Sequence, residues 1–595
     1  MVRQSLNAQK QSLTHNPKST ASPNRVPRFR LLIVWGAMIA AGLGLLLNLY
    51  RLQVTQDLKL EKKARQQQMG ELRPYVPRRP IVDRKGNVLA VDRLVYTLYG
   101  HPKQFKKSKQ EMAAWLAPML GKSKSELEEI FNDKSSGIRL SYGLTEEVAD
   151  RIAREKVDGL ELIQQYSRLY PQEDLAADVV GYVDVDHRGQ AGLEYSQENL
   201  LERAIRTLQL SRSGNGAPMP YHIPEGFLQL DDLRLQLTLD SRLQRAARFA
   251  LKESMKRFRA ERGIVIVMDA RDGALLAQVT EPTYNPNQYY KFDVSLFKNW
   301  ALADLYEPGS TFKPLNVAIA LDSGAVKPDS TFYDPGKIQI GKWSISNYDF
   351  ESRGGLGQLS ISKILEYSSN IGMVRLMQQM KPEDYYGWLE RLGLGKKVDI
   401  DLPFETQGQI KTRQQFSDSL VESATASFGQ GFSLTPIQLA QLHATLANGG
   451  KLVTPHVVQG LFDSKGQAYL QPRLNAPRPV FSPTTTQTVI KMMEGVVANG
   501  TGRNAQIPGY RIAGKTGTAQ KASPTGGYYT NAKVTSFVGI LPAEAPRYVV
   551  VAVVDNPKGV DAFGGTVAAP IVKSVSEALI AIERIPPSQP VRRQN

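Results

Sequence analysis

An uninterrupted apolar run near the N-terminus is the first strong feature of the hydrophobic pattern. Residues 31–50 contain one strongly polar side chain, Asn48. A helix of about 20 residues rises about 30 Å, which is the thickness of the hydrocarbon core of a bilayer. The run therefore predicts a transmembrane helix over residues 31–50. A cleaved signal peptide is the alternative, but the length of the run and the lack of a small-x-small cleavage site after it favour a retained anchor.

The charges around this run predict its orientation. Six cations and no acidic residue precede it, since the first acidic residue of the chain is Asp57. Cytoplasmic flanks of membrane helices carry an excess of lysine and arginine. We therefore expect the tail of residues 1–30 to lie in the cytoplasm, and everything after Tyr50 to lie on the other side of the membrane. The tail is rich in Ser, Asn, Gln and Pro, a composition typical of disorder.

The pattern after the anchor divides into two parts, of which the first covers residues 51–225. Two short strands are predicted on either side of a turn at residues 85–87. Helical periodicity follows over 108–133 and 145–155. A polar segment at 211–218 predicts a linker or exposed loop before the second part begins.

Residues 226–585 form the second part, and a short tail follows over 586–595. Helices are predicted near the two ends of this part, over 241–256 and 568–582. Apolar runs predict its strands over 235–239, 263–269, 274–279, 534–541 and 547–554. Strands at both ends with helices between them predict an α+β domain whose sheet is completed by the two sequence ends.

The composition excludes several kinds of chemistry. The 595 residues include no cysteine, which excludes disulfides, thiol catalysis and thiolate metal sites. The six histidines show no His-x-x-x-His or comparable ligand spacing, so we expect no metal. The net charge of +17 is scattered along the chain, without a basic run interleaved with aromatics. We therefore expect an external protein that faces an anionic membrane or envelope, and no nucleic-acid partner.

A Ser-x-x-Lys motif at Ser310 and Lys313 is the first candidate for chemistry. Of three such pairs in the chain, only this one follows a Pro-Gly turn and precedes a long apolar stretch. Pro314 favours a helix that begins at or just before Ser310, because proline is tolerated where the backbone amide has no partner. Residues three apart in a first turn face the same way. The motif is either a self-acylating serine with an amine beside it or a helix-capping serine with a solvated lysine.

Lys313 needs a second cation nearby to act as a base. Lysine titrates near pH 10.4, and both burial and a neighbouring cation lower that pKa. Lys515 is the candidate for the second cation. Our hypothesis is that neutral Lys313 takes the proton of Ser310 while charged Lys515 holds the substrate carboxylate. We expect the two amines to flank the Ser310 oxygen.

A Ser-x-Asn motif at Ser368 and Asn370 supplies a second hydroxyl and an amide. It ends a predicted helical run over 361–367. We expect Ser368 to relay a proton to the leaving nitrogen and the Asn370 amide to bind the substrate backbone. A polar helix end is the alternative interpretation.

The third motif, Lys515-Thr516-Gly517-Thr518, contains the only Lys-Thr-Gly of the chain. It predicts an edge strand that can pair with an extended peptide, and Gly517 would let the substrate backbone approach closely. The backbone amides of Ser310 and Thr518 are then candidates for an oxyanion hole. A tight turn with a surface lysine is the competing interpretation.

These motifs, in this order, make the chain resemble class B penicillin-binding proteins, the monofunctional peptidoglycan D,D-transpeptidases. The motif set is known from penicillin-binding proteins and class A β-lactamases. Ser369 stands where the pattern of those proteins has Asp, which points away from the β-lactamases. Three further segments carry the likeness over about residues 30–580: Arg79–Ala90, Arg168–Glu194 and Phe428–Gly450.

The resemblance implies a penicillin-binding/β-lactamase-like domain, an antiparallel sheet with helices on both faces, on an elongated α+β pedestal of the dimerisation type. It implies acylation of Ser310 by the penultimate D-Ala of a stem peptide, loss of the terminal D-Ala and attack by an amine from a neighbouring strand. β-Lactams would acylate the same serine, and no cofactor is implied. The implied location is the inner membrane of a bacterium, with the catalytic part outside.

The chain lacks the Glu-Asp-x-x-Phe-x-x-His stretch of glycan-polymerising relatives. The resemblance therefore implies a separate membrane glycan polymerase and division proteins as partners. Residues 306–310 and the Ser-Ser-Asn triplet most resemble the septal branch, with the elongation branch second. The sequence is also compatible with a D,D-carboxypeptidase or β-lactamase, in which water deacylates Ser310, and with a non-catalytic penicillin-binding sensor.

Overall fold

The structure is a computed structural model that describes residues 28–55, 69–72, 76–133, 136–203, 208–211, 230–523 and 527–588. The chain divides into two compact units. The first comprises residues 1–74 and 205–228, and the second comprises residues 75–204 and 229–595. The predicted tails at 1–30 and 586–595 lie largely outside the described residues, as does most of the predicted linker at 211–218.

The first unit contains the predicted membrane helix. Helix α1 (Arg28–Tyr50) continues as a π-helical turn over Arg51–Thr55. Residues Leu31–Gln53 are long and apolar enough to cross a membrane. Strand β1 (Met69–Leu72) pairs antiparallel with β6 (Leu208–Ser211) in the same unit.

The second unit begins with a mixed α and β region over residues 76–203. The predicted turn forms here because the Asp83 carboxylate accepts hydrogen bonds from the amides of Lys85 and Asn87, at 2.8 and 2.9 Å. The strands are β2 (Ile81–Val82), β3 (Val88–Gly100), β4 (Ile138–Leu144) and β5 (Leu160–Leu169). The helices are α2 (Lys109–Leu120), α3 (Lys124–Asp133), α4 (Glu146–Arg154), α5 (Ala177–Val180), α6 (Gly192–Ser196) and α7 (Glu198–Leu201).

A seven-stranded sheet joins this region to later parts of the chain. Strand β2 pairs in parallel with β7 (Arg234–Leu237), which in turn pairs with β15 (Val458–Phe462). The sheet runs in the order β16-β15-β7-β2-β3-β4, with β16 at Ala468–Leu470 and β5 also paired with β3. Backbone hydrogen bonds therefore connect residues before and after the predicted linker.

A five-stranded antiparallel sheet is the centre of the predicted α+β domain. Its order is β18-β19-β20-β8-β9, so the two sequence ends of the domain complete one sheet, as predicted. Alternating residues of β8 enter different cores: Ile264 and Ile266 pack in one cluster, and Val265 and Val267 in the other. The strands are β8 (Arg262–Asp269), β9 (Leu275–Glu281), β18 (Ala513–Ala522), β19 (Tyr528–Leu541) and β20 (Tyr548–Asp555).

Helices cover both faces of this sheet, which confirms the predicted fold class. Two of them, α8 (Ser241–Phe258) and α19 (Gly564–Glu583), form one core with the Val265 side of the sheet. Helices of the intervening segment contribute to the core on the other face. They are α9 (Trp300–Ala303), α10 (Lys313–Asp322), α12 (Ile361–Glu366), α13 (Asn370–Met377), α14 (Pro382–Arg391), α15 (Arg413–Ser417), α16 (Leu420–Ala426), α17 (Pro436–Ala447) and α18 (Pro483–Ala498). Helix α11 (Phe350–Arg353) lies between α10 and α12 in sequence and has no buried residue.

Short strands that the hydrophobic pattern did not predict lie between α10 and α12. Strand β10 (Thr331–Asp334) pairs with β13 (Gly357–Ser360), and the hairpin of β11 (Lys337–Ile340) and β12 (Trp343–Ser346) lies between them in sequence. A second short pair joins β14 (Lys451–Leu452) to β17 (Arg478–Pro479). Strands of two to four residues have too few positions for a period-2 pattern to show.

Candidate active site

The Ser310 hydroxyl lies on a tight turn that precedes helix α10. Residues Gly309–Phe312 form a 3-10 turn, and the α-helix begins at Lys313 with Pro314 in its first turn, where no amide partner is required. The turn is fixed from outside, because the Gly309 amide donates to the carbonyl of Gly429 at 2.9 Å. Ser310 is half-buried, whereas the Lys313 side chain is fully buried.

Lys313 directs its ammonium group at the Ser-x-Asn motif. Its Nζ donates to the Ser368 carbonyl at 2.6 Å and to Asn370 Oδ1 at 2.8 Å, and lies 3.4 Å from Ser368 Oγ. A buried ammonium group requires acceptors, and this motif supplies them. The structure therefore brings the first two predicted motifs together.

Lys515 reaches the same hydroxyl from strand β18. Its Nζ lies 2.8 Å from Ser368 Oγ and 3.2 Å from the carbonyl of Thr516. Like Lys313, it is 0% exposed. Two amines that are far apart in the domain sequence therefore approach the Ser368 hydroxyl.

This arrangement differs from the expectation in one respect. We expected the two amines to flank the Ser310 oxygen, but they flank the Ser368 oxygen. Within the described residues, the Ser310 hydroxyl forms no hydrogen bond with either amine. A buried ammonium group needs several hydrogen-bond acceptors. The Ser368 carbonyl and the side-chain oxygen of Asn370 give Lys313 two acceptors, whereas the Ser310 hydroxyl would give it one.

The backbone at Ser368 is left-handed, with a φ of 56°. The predicted helix end is in fact a junction: α12 ends at Glu366, and Ser369 caps the next helix by accepting a hydrogen bond from the Gly372 amide at 2.7 Å. A left-handed non-glycine residue costs about 1–3 kcal/mol unless its surroundings hold it. This left-handed conformation, held by the cap at Ser369, directs the Ser368 carbonyl at Lys313.

Two polar residues outside the three predicted motifs, Asp334 and Asn347, contact the Ser-x-Asn motif. Asp334, at the end of β10, accepts a hydrogen bond from Ser369 Oγ at 2.5 Å and from Asn347 Nδ2 at 2.8 Å. Asn347 Oδ1 in turn accepts from the amide of Asn370 at 2.8 Å. The Asp-Pro-Gly turn signal at 334–336 was the one sequence feature that could have drawn attention to Asp334.

Strand β18 passes directly beside the Ser310 turn. It is an edge strand of the five-stranded sheet, as predicted. A methyl group added at Gly517 would lie 2.9 Å from the Thr311 side chain and 3.2 Å from the Pro308 carbonyl. Only glycine permits this separation of strand and turn. The neighbouring Thr518 is exposed, and its hydroxyl accepts a hydrogen bond from the Gly564 amide at 3.0 Å.

Glu307, three residues before Ser310, connects this turn to two other segments. Its carboxylate accepts from the Gly431 amide and from the Tyr528 hydroxyl, both at 2.9 Å. Burial raises the pKa of Glu307, while these hydrogen bonds oppose the rise. Tyr528 begins β19, so the strand that follows the Lys-Thr-Gly motif is hydrogen-bonded to the turn that carries Ser310.

Burial in the site lowers the pKa of both lysines. Burial lowers the pKa of Lys313 well below its usual range; the nearby charge of Lys515 lowers it further, and that of Asp334 raises it. Burial lowers the pKa of Lys515 to about 7. Both shifts have the direction that a lysine base requires. Among the described residues, no group of three or more His, Cys, Asp or Glu could hold a metal ion.

Comparison with protein families identifies the family to which the chain belongs. The family described as the Penicillin binding protein transpeptidase domain matches residues 263–577, which is more than half of the chain. The chain belongs to this penicillin-binding protein family. A second match, to the Penicillin-binding Protein dimerisation domain, covers residues 74–213 of this penicillin-binding protein.

Alignments with named relatives cover nearly the whole length of this penicillin-binding protein. It is 41% identical over 579 residues to the Peptidoglycan D,D-transpeptidase FtsI homolog of Mesostigma viride, covering 94% of this chain and 97% of the relative. It is 29% identical to Peptidoglycan D,D-transpeptidase FtsI of Escherichia coli K12, covering 96% and 95%. The crystal structure of penicillin-binding protein 3 of Mycobacterium tuberculosis with aztreonam matches with a TM-score of 0.66 at 26% identity, covering 88% of this chain and 99% of the other.

These findings confirm the predicted family, its septal branch, the α+β fold and the enzyme class. Peptidoglycan is the substrate class and β-lactams are ligands of this family. The structure brings together all the residues predicted for the site, which are Ser310, Lys313, Ser368, Asn370, Lys515, Thr516, Gly517 and Thr518. Their individual roles and the predicted domain limits stay predictions.

Proposed function

We propose that this protein cross-links peptidoglycan as a septal-type D,D-transpeptidase with Ser310 as its nucleophile. The observation that carries the assignment is the convergence of Lys313 and Lys515 on the Ser368 hydroxyl, beside the Ser310 turn. Burial lowers the pKa of both amines, that of Lys515 to about 7, which is the direction that proton exchange requires. A serine, two amines and a second hydroxyl form an acyl-transfer site that needs neither histidine nor metal.

The proposed reaction has two stages. Neutral Lys313 takes the Ser310 proton while Oγ attacks the carbonyl carbon of the penultimate D-Ala, and the amides of Ser310 and Thr518 stabilise the oxyanion. Ser368 passes a proton to the leaving nitrogen, so that terminal D-Ala departs and an ester remains on Ser310. Lys313 passes the proton that it took from Ser310 on to Ser368. An amine of a neighbouring strand then attacks this ester and forms the new peptide bond, and the proton lost by that amine passes through Lys313 to restore the Ser310 hydroxyl. Lys515 holds the carboxylate of the terminal D-Ala until that residue departs.

The proposal includes the placement of the protein in the cell. The apolar helix at Leu31–Gln53 would anchor it, with the basic N-terminal tail in the cytoplasm and the transpeptidase outside the plasma membrane. A separate membrane glycan polymerase and division proteins would be its partners. Protease protection of the tail in sealed inverted and right-side-out vesicles tests this orientation, because only inverted vesicles should expose it.

Labelling with fluorescent penicillin tests the nucleophile. The full chain should form a stable covalent adduct, and Ser310→Ala should form none while unfolding at a similar temperature. Ser295→Ala is a matched control, because Ser295 belongs to another Ser-x-x-Lys pair on an exposed 3-10 turn. Labelling that persists in Ser310→Ala would contradict the assignment. Product analysis with an added amine acceptor separates cross-linking from simple release of D-Ala by water.

A further inference from the structure

The Ser368–Asn370 segment is held by a polar cluster that belongs to none of the three motifs. Asp334 and Asn347 are its members, at 0% and 4% exposure. Both come from the excursion between α10 and α12, where the short strands β10 to β13 lie. Their hydrogen bonds reach the Ser369 hydroxyl and the backbone amide of Asn370, next to the two acceptors of Lys313.

Asp334 is bonded on both carboxylate oxygens. Oδ1 accepts from the Gly336 amide at 2.7 Å and from Asn347 Nδ2 at 3.1 Å. Oδ2 accepts from Asn347 Nδ2 at 2.8 Å and from the Ser369 hydroxyl at 2.5 Å. A buried carboxylate with donors on both oxygens fixes those donors in place. Asp334 therefore holds Asn347 and Ser369 at once.

Asn347 connects Asp334 to the start of helix α13 by hydrogen bonds. Its Oδ1 accepts from the amides of Asn370 and Ile371, at 2.8 and 3.2 Å. The side chain of Asn370 is oriented by the same excursion, because its Nδ2 donates to the carbonyl of Ser346 at 3.1 Å. With Nδ2 so placed, Oδ1 of Asn370 faces Lys313 Nζ at 2.8 Å.

We infer that Asp334 and Asn347 are positioning residues of the transpeptidase site: they hold the Ser368–Asn370 segment where it orients Lys313, and Asp334 supplies a carboxylate whose charge acts on that lysine. The inference rests on the proposed function. It assigns a role in catalysis to the β10–β13 excursion, whose hydrogen bonds lead through Ser369 and Asn370 to Lys313.

The charge of Asp334 affects the pKa of Lys313, which a purely structural role of Asp334 would not do. Two charged groups act on Lys313, Lys515 from β18 and Asp334 from β10. Asp334 raises the pKa of Lys313, so its neutralisation lowers that pKa. Acylation requires neutral Lys313, and its rate rises as pH passes through that pKa. Loss of the Asp334 charge should therefore move the acidic limb of the rate profile to lower pH.

The experiment measures the second-order rate of acylation by fluorescent penicillin against pH, on the detergent-solubilised full chain. Asp334→Asn should lower the plateau roughly tenfold or more, because misplacement of catalytic groups is costly, and should shift the acidic limb to lower pH. Asn347→Ala keeps the carboxylate, so the plateau should fall without a downward shift of the limb.

Asp83→Asn is the matched control. Asp83 is also 0% exposed and accepts from a serine hydroxyl, Ser241 Oγ at 2.7 Å, but it lies beside the seven-stranded sheet. Its rate profile should equal that of the wild type at temperatures below unfolding. A wild-type plateau and limb in Asp334→Asn would overturn the inference, while Ser310→Ala that still labels would overturn the proposed function instead.

If Asp334→Asn does not fold, a second variant tests the positioning role. Ser369→Ala removes the hydroxyl that donates to Asp334 and leaves the carboxylate in place. Its acylation rate should fall about tenfold or more, with no downward shift of the acidic limb. An unchanged rate in a folded Ser369→Ala protein would overturn the positioning role.

Discussion

Lys515 Nζ lies 2.8 Å from Ser368 Oγ, although 147 positions of sequence separate the two residues. The contact joins an edge strand of the central sheet to a left-handed residue between two helices. Lys313 approaches the same hydroxyl from a third element, helix α10. A proton can therefore be exchanged among three side chains that only the folded domain brings together.

Burial of Lys515 should make stability depend on pH. Its pKa is lowered to about 7 in the folded protein, from a usual value of 10.5. Between these values the unfolded chain binds more protons, so the free energy of unfolding rises with pH. Relative to Lys515→Met, the wild type should gain about 4 kcal/mol between pH 7 and about 10.5, and lose it as pH falls. Denaturant unfolding of both proteins across this range measures the difference, and a flat difference would contradict the lowered pKa of Lys515.

Tyr528→Phe should slow acylation, because it removes the hydrogen bond to Glu307 beside the nucleophile turn. A hydrogen bond to a carboxylate contributes about 1.5–3 kcal/mol, and a loss of about 1.4 kcal/mol of transition-state stabilisation slows acylation about tenfold, which is the decrease expected. Tyr529→Phe is the matched control: both tyrosines are 44% exposed, and no hydrogen bond of the Tyr529 hydroxyl exists within the described residues. Penicillin labelling rates measure both. Equal rates in the two variants would show that the Glu307 contact does not position the turn.

Gly517→Ala should damage both stability and acylation. The added methyl group would lie 2.4 Å from Ser536 Oγ and 2.9 Å from the Thr311 side chain, so strand β18 must move away from the Ser310 turn. Overpacking of this kind costs about 1–3 kcal/mol. Gly387→Ala, within α14 and with nothing inside 4 Å of the added atom, should instead be neutral or stabilising by up to about 1 kcal/mol. Thermal unfolding and labelling rates together check the pair; a neutral Gly517→Ala would refute the close approach.

Glu194→Gln should destabilise the protein without changing the chemistry. Glu194 is 0% exposed and pairs with Arg168 at 2.6 Å and with Arg78 at 3.1 Å. Removal of one partner from a buried ion cluster costs about 3–5 kcal/mol, because the remaining charges stay buried. Glu198→Gln is the control, since Glu198 pairs with Arg78 but is 33% exposed, and it should cost less than about 1 kcal/mol. Similar unfolding curves for the two variants would contradict this prediction.

Much of the architecture could be predicted from local pattern. The membrane helix, the hairpin of β8 and β9 and the strands β19 and β20 are continuous apolar runs that need no partner to be recognised. The short strands β10 to β13 could not be predicted, because each is four residues long and is stabilised by pairing rather than by its own sequence. Asp334 and Asn347, which lie in or beside them, were missed for the same reason.

The sequence by itself determined which groups are available for chemistry: the absence of cysteine, one Ser-Thr-Phe-Lys after a Pro-Gly turn, one Ser-Ser-Asn and one Lys-Thr-Gly-Thr. Only the tertiary structure decided which oxygen the two amines share, because that depends on a left-handed backbone at Ser368 and on a buried carboxylate at Asp334. Hydrogen-bond geometry is set by the spatial arrangement of distant segments. No local spacing of residues specifies it.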